Sequence, residues 1–452
     1  MNPNPSGPEA AAARAREFSR IWLPGLILLA LLAGWWQDRA YSASVQRSAE
    51  IAERLWREQP ARFPLEGLNQ NWVTMARHSP LAVFDPGVGT WLAPAIYLQL
   101  SRPARAQDQL AYDYLPLGRQ EQLSPALLLQ MAIPLLAVWL AWRHGAEAGG
   151  AVKRGAAALV ETLEKSAPSL GLAIFGTALL SLSNPLGNFN LDAAYRLLLL
   201  LALYLLYATA AVGGTLVLLR LGGRKAGLAL ASIFWLFQLT MGRPLTVNIA
   251  SSLEPLPTLE EFVRVLDQET RMGYLGADPR EDRRRRYVAE TLAEYKAERV
   301  EELPVNLSAV ILQREERHAR EIFRRRVGEL REKFERQERI ERALSFLSPV
   351  VAIQLASASL ARTDHAAERW QIADAESRWD VVTGMVFEAV VKQAQPDGSL
   401  PAAGPDFWAK LPAFRPDAPP AAYSLGMCWL PLGALGLWAL GTLATGRREE
   451  AV

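Results

Sequence analysis

Residues 197–219 read LLLLLALYLLYATAAVGGTLVLL, an uncharged stretch closed by Arg196 on one side and Arg220 on the other. An apolar run of roughly 18 or more residues is long enough to cross a ~30 Å hydrocarbon core as a helix. Lipid offers the backbone no hydrogen-bond partners, so a helix is the form such a run must take. Five further uncharged runs flank it. IWLPGLILLALLAGWW lies between Arg20 and Asp38, PALLLQMAIPLLAVWLAW between Glu121 and Arg143, and LGLAIFGTALLSLS between Lys165 and Asp192. AGLALASIFWLFQLTMG lies between Lys225 and Arg243, and SLGMCWLPLGALGLWALGTLATG between Asp417 and Arg447.

The expected fold is all-α: a polytopic membrane protein with six transmembrane helices and a mainly helical extracytoplasmic domain built from two insertions. The spans are expected at 21–36, 125–142, 169–183, 192–219, 225–242 and 424–445. They leave an N-terminal segment 1–20, insertions at 37–124 and 243–423, a loop at 143–168 and a tail at 446–452. A signal peptide would also explain the arginines before the first run. However, Trp35-Trp36-Gln37-Asp38 follows instead of a small-residue cleavage site, so a retained helix is expected.

Orientation follows from Lys and Arg in the short connections. Arg14, Arg16 and Arg20 precede the first run; Arg143, Lys153, Arg154 and Lys165 follow the second; Arg220, Arg224 and Lys225 join the fourth and fifth. The short connection SNPLGNFN at 183–190 carries neither residue type. Both termini are therefore expected in the cytoplasm and both insertions outside, in a bacterial inner membrane. The net charge of +2 averages over compartments and gives no sign of a nucleic-acid partner. The one cysteine, Cys428, excludes an intrachain disulfide.

The first insertion opens with a charged helical pattern that breaks at Pro60, and Asp85-Pro86-Gly87 reads as a turn. In the second, Phe323, Val327, Leu330 and Phe334 recur at spacings of three and four across 308–346, a one-stripe amphipathic arm. Ser348-Pro349 ends that arm. A second helix is expected over 350–393, with Thr363 and Asp364 capping a restart, so that the pair forms a helical hairpin. A Pro-rich return over 395–420 leads into the last span.

The residues offer no catalytic constellation. His78, His144, His318 and His365 are scattered without metal-ligand spacing, and neither a Walker A loop nor a G-x-S-x-G elbow occurs. An enzyme, a resident metal and a bound cofactor are not expected. The basic run Arg283, Arg284, Arg285 and Arg286 reads first as a solvated helix face, and otherwise as a contact with anionic lipid or an acidic partner. Arg196, with Asp192 one turn earlier, reads as snorkelling to the interface. No charge falls near the centre of a span, which argues against an ion relay.

Ser79-Pro80-Leu81-Ala82-Val83-Phe84-Asp85-Pro86-Gly87, Glu301-Glu302-Leu303-Pro304-Val305-Asn306, Arg336-Gln337-Glu338-Arg339, Leu347-Ser348-Pro349 and Thr363-Asp364-His365 occur here in order across 70–440. In these motifs the chain resembles ABC-2-type transporter permeases, specifically a bacterial subfamily with large periplasmic insertions and a domain of unknown function. The resemblance implies a permease subunit of unknown substrate. It would work with a dimer of ATPase subunits that bind ATP, and with a second permease subunit, homologous or identical. It also implies a coupling helix between the second and third spans. There this chain reads Trp142-Arg143-His144-Gly145-Ala146-Glu147 in place of the family's acidic run. Residues 147–165 can still form that helix, with Arg143, Glu147, Lys153, Arg154, Leu159 and Leu163 as the coupling candidates. Phe84, Asp85 and Arg283 to Arg286 are the candidates for contact with a periplasmic protein or lipoprotein, or with membrane lipids. The rival reading is a non-transporting scaffold that relays ATPase-driven motion to such a partner.

Overall fold

A computed structural model describes residues 31–36, 72–75, 79–87, 95–98, 105–106, 124–147, 190–393 and 419–447, together with single positions at 25, 28, 29, 39, 50, 172 and 176. These residues are mainly helical, as the sequence predicts. In the first insertion they also include a small antiparallel sheet, which the sequence reading did not anticipate. Strand β1 (Trp72–Met75) pairs with β2 (Ala95–Leu98), which pairs with β3 (Arg105–Ala106). The register sets Trp72 opposite Leu98 and Ile96 opposite Ala106.

Helix α1 (Pro125–Glu147) starts where Ser124 accepts from the Leu127 amide at 3.0 Å and Pro125 sets the first turn. Helix α2 (Leu191–Leu253) starts at Asn190, whose side chain accepts from Ala193 at 2.9 Å. Its two limbs, Leu191–Leu219 and Lys225–Leu253, are each long and apolar enough to cross a membrane. They run antiparallel. Trp235 Nε1 donates to Thr215 Oγ1 at 2.9 Å although the residues are 20 apart, a separation of about 30 Å along a straight helix. The reversal requires Gly227, where a Cβ would come within 2.5 Å of Leu219 Cα.

The second insertion forms a mostly helical path. It contains α3 (Leu259–Met272), α4 (Arg280–Glu294), α5 (Leu307–Leu344), α6 (Pro349–Ala361) and α7 (His365–Gln393). Helix α8 (Ala421–Arg447) closes the described chain and, over Ala421–Gly441, is the third helix able to span a membrane. A shorter apolar helix covers Pro125–Trp139. Of the first apolar run, helical residues 31–36 and a few single positions are described, and of the third only 172 and 176; Gly176 sits against Leu31.

The core lies between α1, α2, α6 and α8. In the most apolar window of each candidate span, 61% of residues are buried in the first limb of α2, against 22% in the second limb and 33% in α8. The first limb is therefore the centre of the bundle. Leu200, Leu203, Tyr204 and Tyr207 pack there against Leu129 and Ile133 of α1, Val350, Ile353 and Leu360 of α6, and Cys428 and Leu435 of α8. Roughly 1.5–3 kcal/mol accompanies full burial of each such large side chain.

Helix α6 departs from the expected outer hairpin. Val350, Val351, Ala352, Ile353 and Ala356 are fully buried among the candidate spans. Charges are missing from 349–361, so water gains nothing from this segment and the apolar faces of α2 and α8 do. The 3-10 turn that precedes it, Ser345–Leu347, is pinned by Trp438 Nε1 donating to Phe346 O at 3.0 Å. The restart at Thr363-Asp364 is as expected. Arg362 adopts a left-handed conformation (φ 59°, ψ 41°), Thr363 N bonds Ala358 O at 2.9 Å, and Asp364 Oδ1 accepts from Ala367 N at 2.9 Å.

Candidate functional site: a polar joint around α6

Four of the five motifs converge on the two ends of α6. The 3-10 turn Pro80–Val83 carries Phe84 and Asp85 into the bundle. Phe84 is 1% exposed and meets the Tyr204 ring edge-on at 5.6 Å. Asp85 Oδ1 accepts from Gly87 N at 3.0 Å, and its other oxygen accepts from Ser357 of α6. Ser357 also contacts Tyr204 Oη at 3.3 Å, which accepts from Gln130 Nε2 at 3.1 Å. One polar chain thus joins the first insertion, α6, α2 and α1. Burial pushes the Asp85 carboxyl above its usual range, while the Ser357 and Gly87 bonds and the charge of Arg243 pull it back. Gly87, at φ 55°, lies so close to α6 that a Cβ would stand 2.1 Å from Thr363 O.

At the C-terminal end of α6, Arg196 forms a clamp. Its side chain is 1% exposed; it pairs with Asp192 at 2.9 Å and donates to Leu360 O at 3.3 Å and to Pro419 O at 3.5 Å. Arg362 reaches the same Asp192 at 2.7 Å. The expected snorkelling of Arg196 is thereby corrected. The last carbonyls of a helix have no intrahelical donor, and a guanidinium with five N–H groups reaches both this carbonyl and the one leading into α8.

Beside the joint, α5 and α7 carry a charged cluster. Arg369 pairs with Glu338, and Arg342 with Glu338 at 3.0 Å. Burial opposes ionisation of Glu338, but Arg369 outweighs it and holds the carboxyl below its usual range. Glu341 is pushed up by burial despite Arg243 and His365 nearby. Burial also works against a charged His365, yet Glu368, Glu338 and Glu341 hold its pKa above the usual value. Further along, Arg331 meets Glu376 at 2.7 Å and Arg320 meets Asp380 at 3.1 Å, so an ionic seam joins the two helices.

The other candidates fall apart from this joint. Arg283 is fully buried, donating to Asp278 O at 2.7 Å and Thr270 O at 3.0 Å, whereas Arg286 pairs with Asp278 at 2.8 Å and Arg284 and Arg285 are exposed. A single solvated face was expected for the four, but successive helical residues point about 100° apart and must divide between environments. Phe84 and Asp85, expected to meet a periplasmic partner, are instead committed inside the chain. Arg143 and Glu147 lie in the last turns of α1, and Lys153, Arg154, Leu159 and Leu163 lie outside the described residues. Glu301–Asn306 lies away from the joint, where Asn306 caps α5 by accepting from Ala309 N at 3.1 Å. The sequence reading missed Ser357, Tyr204 and Gln130 as partners. Their only signal was a polar side chain inside an uncharged run.

Among the described residues, no group of three or more His, Cys, Asp or Glu side chains is placed to hold a metal ion. The arrangement can fasten, and on breaking release, the segment between the long helix α5 and the bundle. Residues 260–417, under half of the chain, match a family model described as a domain of unknown function (DUF3526). No curated protein and no solved structure matches the chain.

Proposed function

We propose that the chain is a permease subunit of an ABC-2-type transporter in a bacterial inner membrane, with six spans, both termini cytoplasmic and ATP hydrolysed by a separate subunit. The observation that carries this reading is the continuity of α5 with the turn Ser345–Leu347 and the buried helix α6. Gln337 on α5 donates to Glu254 O at 2.6 Å where α2 ends, and Gln238 on the second limb donates to Leu347 O at 3.5 Å. The arm is thus mechanically continuous with a segment wedged between candidate spans, so a change in how the spans pack must move the arm. Three long apolar helices and a fourth shorter one support the membrane setting.

The scaffold reading shares that linkage and gains from one further observation. Helix α6 fills the space between α1, α2 and α8 with apolar side chains, leaving little polar lining for a hydrophilic substrate. A lipidic substrate, or force passed to an outer partner, fits that lining better.

Purification from native membranes under mild detergent tests the assignment. Recovery of a Walker A ATPase and a second permease subunit in stoichiometric amount is expected. Recovery of neither would sink the transporter reading. ATP-dependent movement of a labelled lipid in reconstituted vesicles then distinguishes transport from scaffolding.

A further inference from the structure

The distal unit of α3, α4 and the first half of α5 carries a loop whose backbone is held in an unfavourable state. In Gly273-Tyr274-Leu275-Gly276, both glycines have positive φ (77° and 76°), and so does Leu275, at φ 56° and ψ 24°. Left-handed backbone is routine for glycine but strained for leucine. The loop is nevertheless tightly determined. Asp278 N bonds Met272 O at 2.9 Å, Leu275 N bonds Glu269 Oε1 at 3.3 Å, and Tyr274 Oη donates to Glu329 at 3.2 Å. Arg325 stacks over the Tyr274 ring at 4.1 Å. All this holds outward a leucine that is 75% exposed, beside a Met272 that is 43% exposed. Strain of this kind persists where surroundings over-determine it, and such sites cluster at ligand clamps and switches.

Two further observations indicate the occupant. The exposed charges flanking the loop are mostly basic: Arg271, Arg284 and Arg285 against Glu281 and Asp282, with Arg280 paired to Glu315 at 3.5 Å and Arg286 to Asp278 at 2.8 Å. The loop also lies far from the bundle. Arg326, which reaches Glu269 at 2.6 Å, lies on the order of 16 Å along α5 beyond Gln337 and the end of α2, using the helical rise. That end lies a similar distance again beyond Arg243, so a lipid headgroup at the level of Arg243 is out of reach.

We propose that this loop is a docking knob: Leu275, with Met272 beside it, enters an apolar pocket of an extracytoplasmic protein whose rim carries carboxylates. The proposal rests on the extramembrane placement of this unit in the reading above. A photoreactive phenylalanine analogue replacing Leu275 in the full-length protein, in native membranes, should give one discrete adduct with another protein. That protein, purified, should bind the full-length chain in nanodiscs. Leu275→Gly removes the knob and relieves the left-handed strain. It should weaken binding at least tenfold while the unfolding midpoint holds or rises. Arg280→Ser together with Arg284→Ser should weaken binding and flatten its dependence on salt. Adducts to lipid only or to a second copy of this chain, or unchanged binding by Leu275→Gly, would overturn the knob. Unchanged binding by the double arginine variant would overturn the acidic rim. A wild-type chain that binds the partner but recovers no ATPase supports the knob and overturns the transporter reading.

Discussion

Arg196→Met tests the clamp directly, because methionine keeps much of the apolar stem and removes every donor. Asp192 would not be orphaned, since Arg362 still reaches it at 2.7 Å. The loss falls on Leu360 O and Pro419 O, which lose donors at 3.3 and 3.5 Å in a site where Arg196 is 1% exposed. A buried group left without its partner costs about 1–3 kcal/mol, and two carbonyls lose a donor here. The chain supplies its own probe. Cys428 is its only cysteine, is fully buried on α8, and lies 3.6 Å from Ala356 O of α6. Where reclosing outpaces labelling, the rate of thiol modification follows the opening equilibrium. A loss of about 3 kcal/mol then accelerates labelling roughly 100-fold, at about 1.4 kcal/mol per factor of ten. Arg196→Lys, which keeps one charged donor, should fall between. Acceleration of Arg196→Met by less than about fivefold would refute the claim that this side chain fastens α6.

Three further outcomes are expected. Gly87→Ala puts a Cβ 2.1 Å from Thr363 O at a φ of 55°, so it should cost about 2–4 kcal/mol. Limited proteolysis of 79–87 should detect the released turn. Gly227→Ala places a Cβ 2.5 Å from Leu219 Cα and should destabilise the α2 hairpin by about 1–3 kcal/mol, read as a lower detergent unfolding midpoint. Glu316, buried beside Arg320 at 3.4 Å, has its carboxyl pushed by burial from 4.5 to about 7. At this site the folded state then binds more protons than the unfolded one, so the contribution of Glu316 to stability is fullest below pH 4.5 and falls as pH rises to about 7, by about 1–3 kcal/mol. Hydrogen exchange along α5 should show that slope, and Glu316→Gln should flatten it.

The apolar runs made the long helices legible, because an uncharged stretch bounded by arginines has one low-energy form in lipid. Capping was legible at the restart, where Asp364 accepts from Ala367 N as expected, whereas the caps that Asn306 and Ser348 provide were not assigned from the sequence. The expected α5–α7 hairpin was legible as two helices but not as an ionic seam, since pairing across helices depends on rotation about each axis. The joint around α6 was not legible as a unit. Asp85 and Ser357 are 272 residues apart, and neither stands in a local pattern that names the other.

By itself, then, the sequence determined that the uncharged runs form long apolar helices and that 308–346 forms an amphipathic one; three of the described helices are long and apolar enough to span a membrane. Tertiary structure alone decided that the segment 349–361 packs among those helices instead of continuing the expected α5–α7 hairpin. It also decided that a buried arginine would hold the end of α6. The physical reason is the same in both cases. Helix formation and hydrophobicity are short-range properties of the chain, whereas the worth of a buried polar group depends on partners that only the folded backbone brings within hydrogen-bond reach.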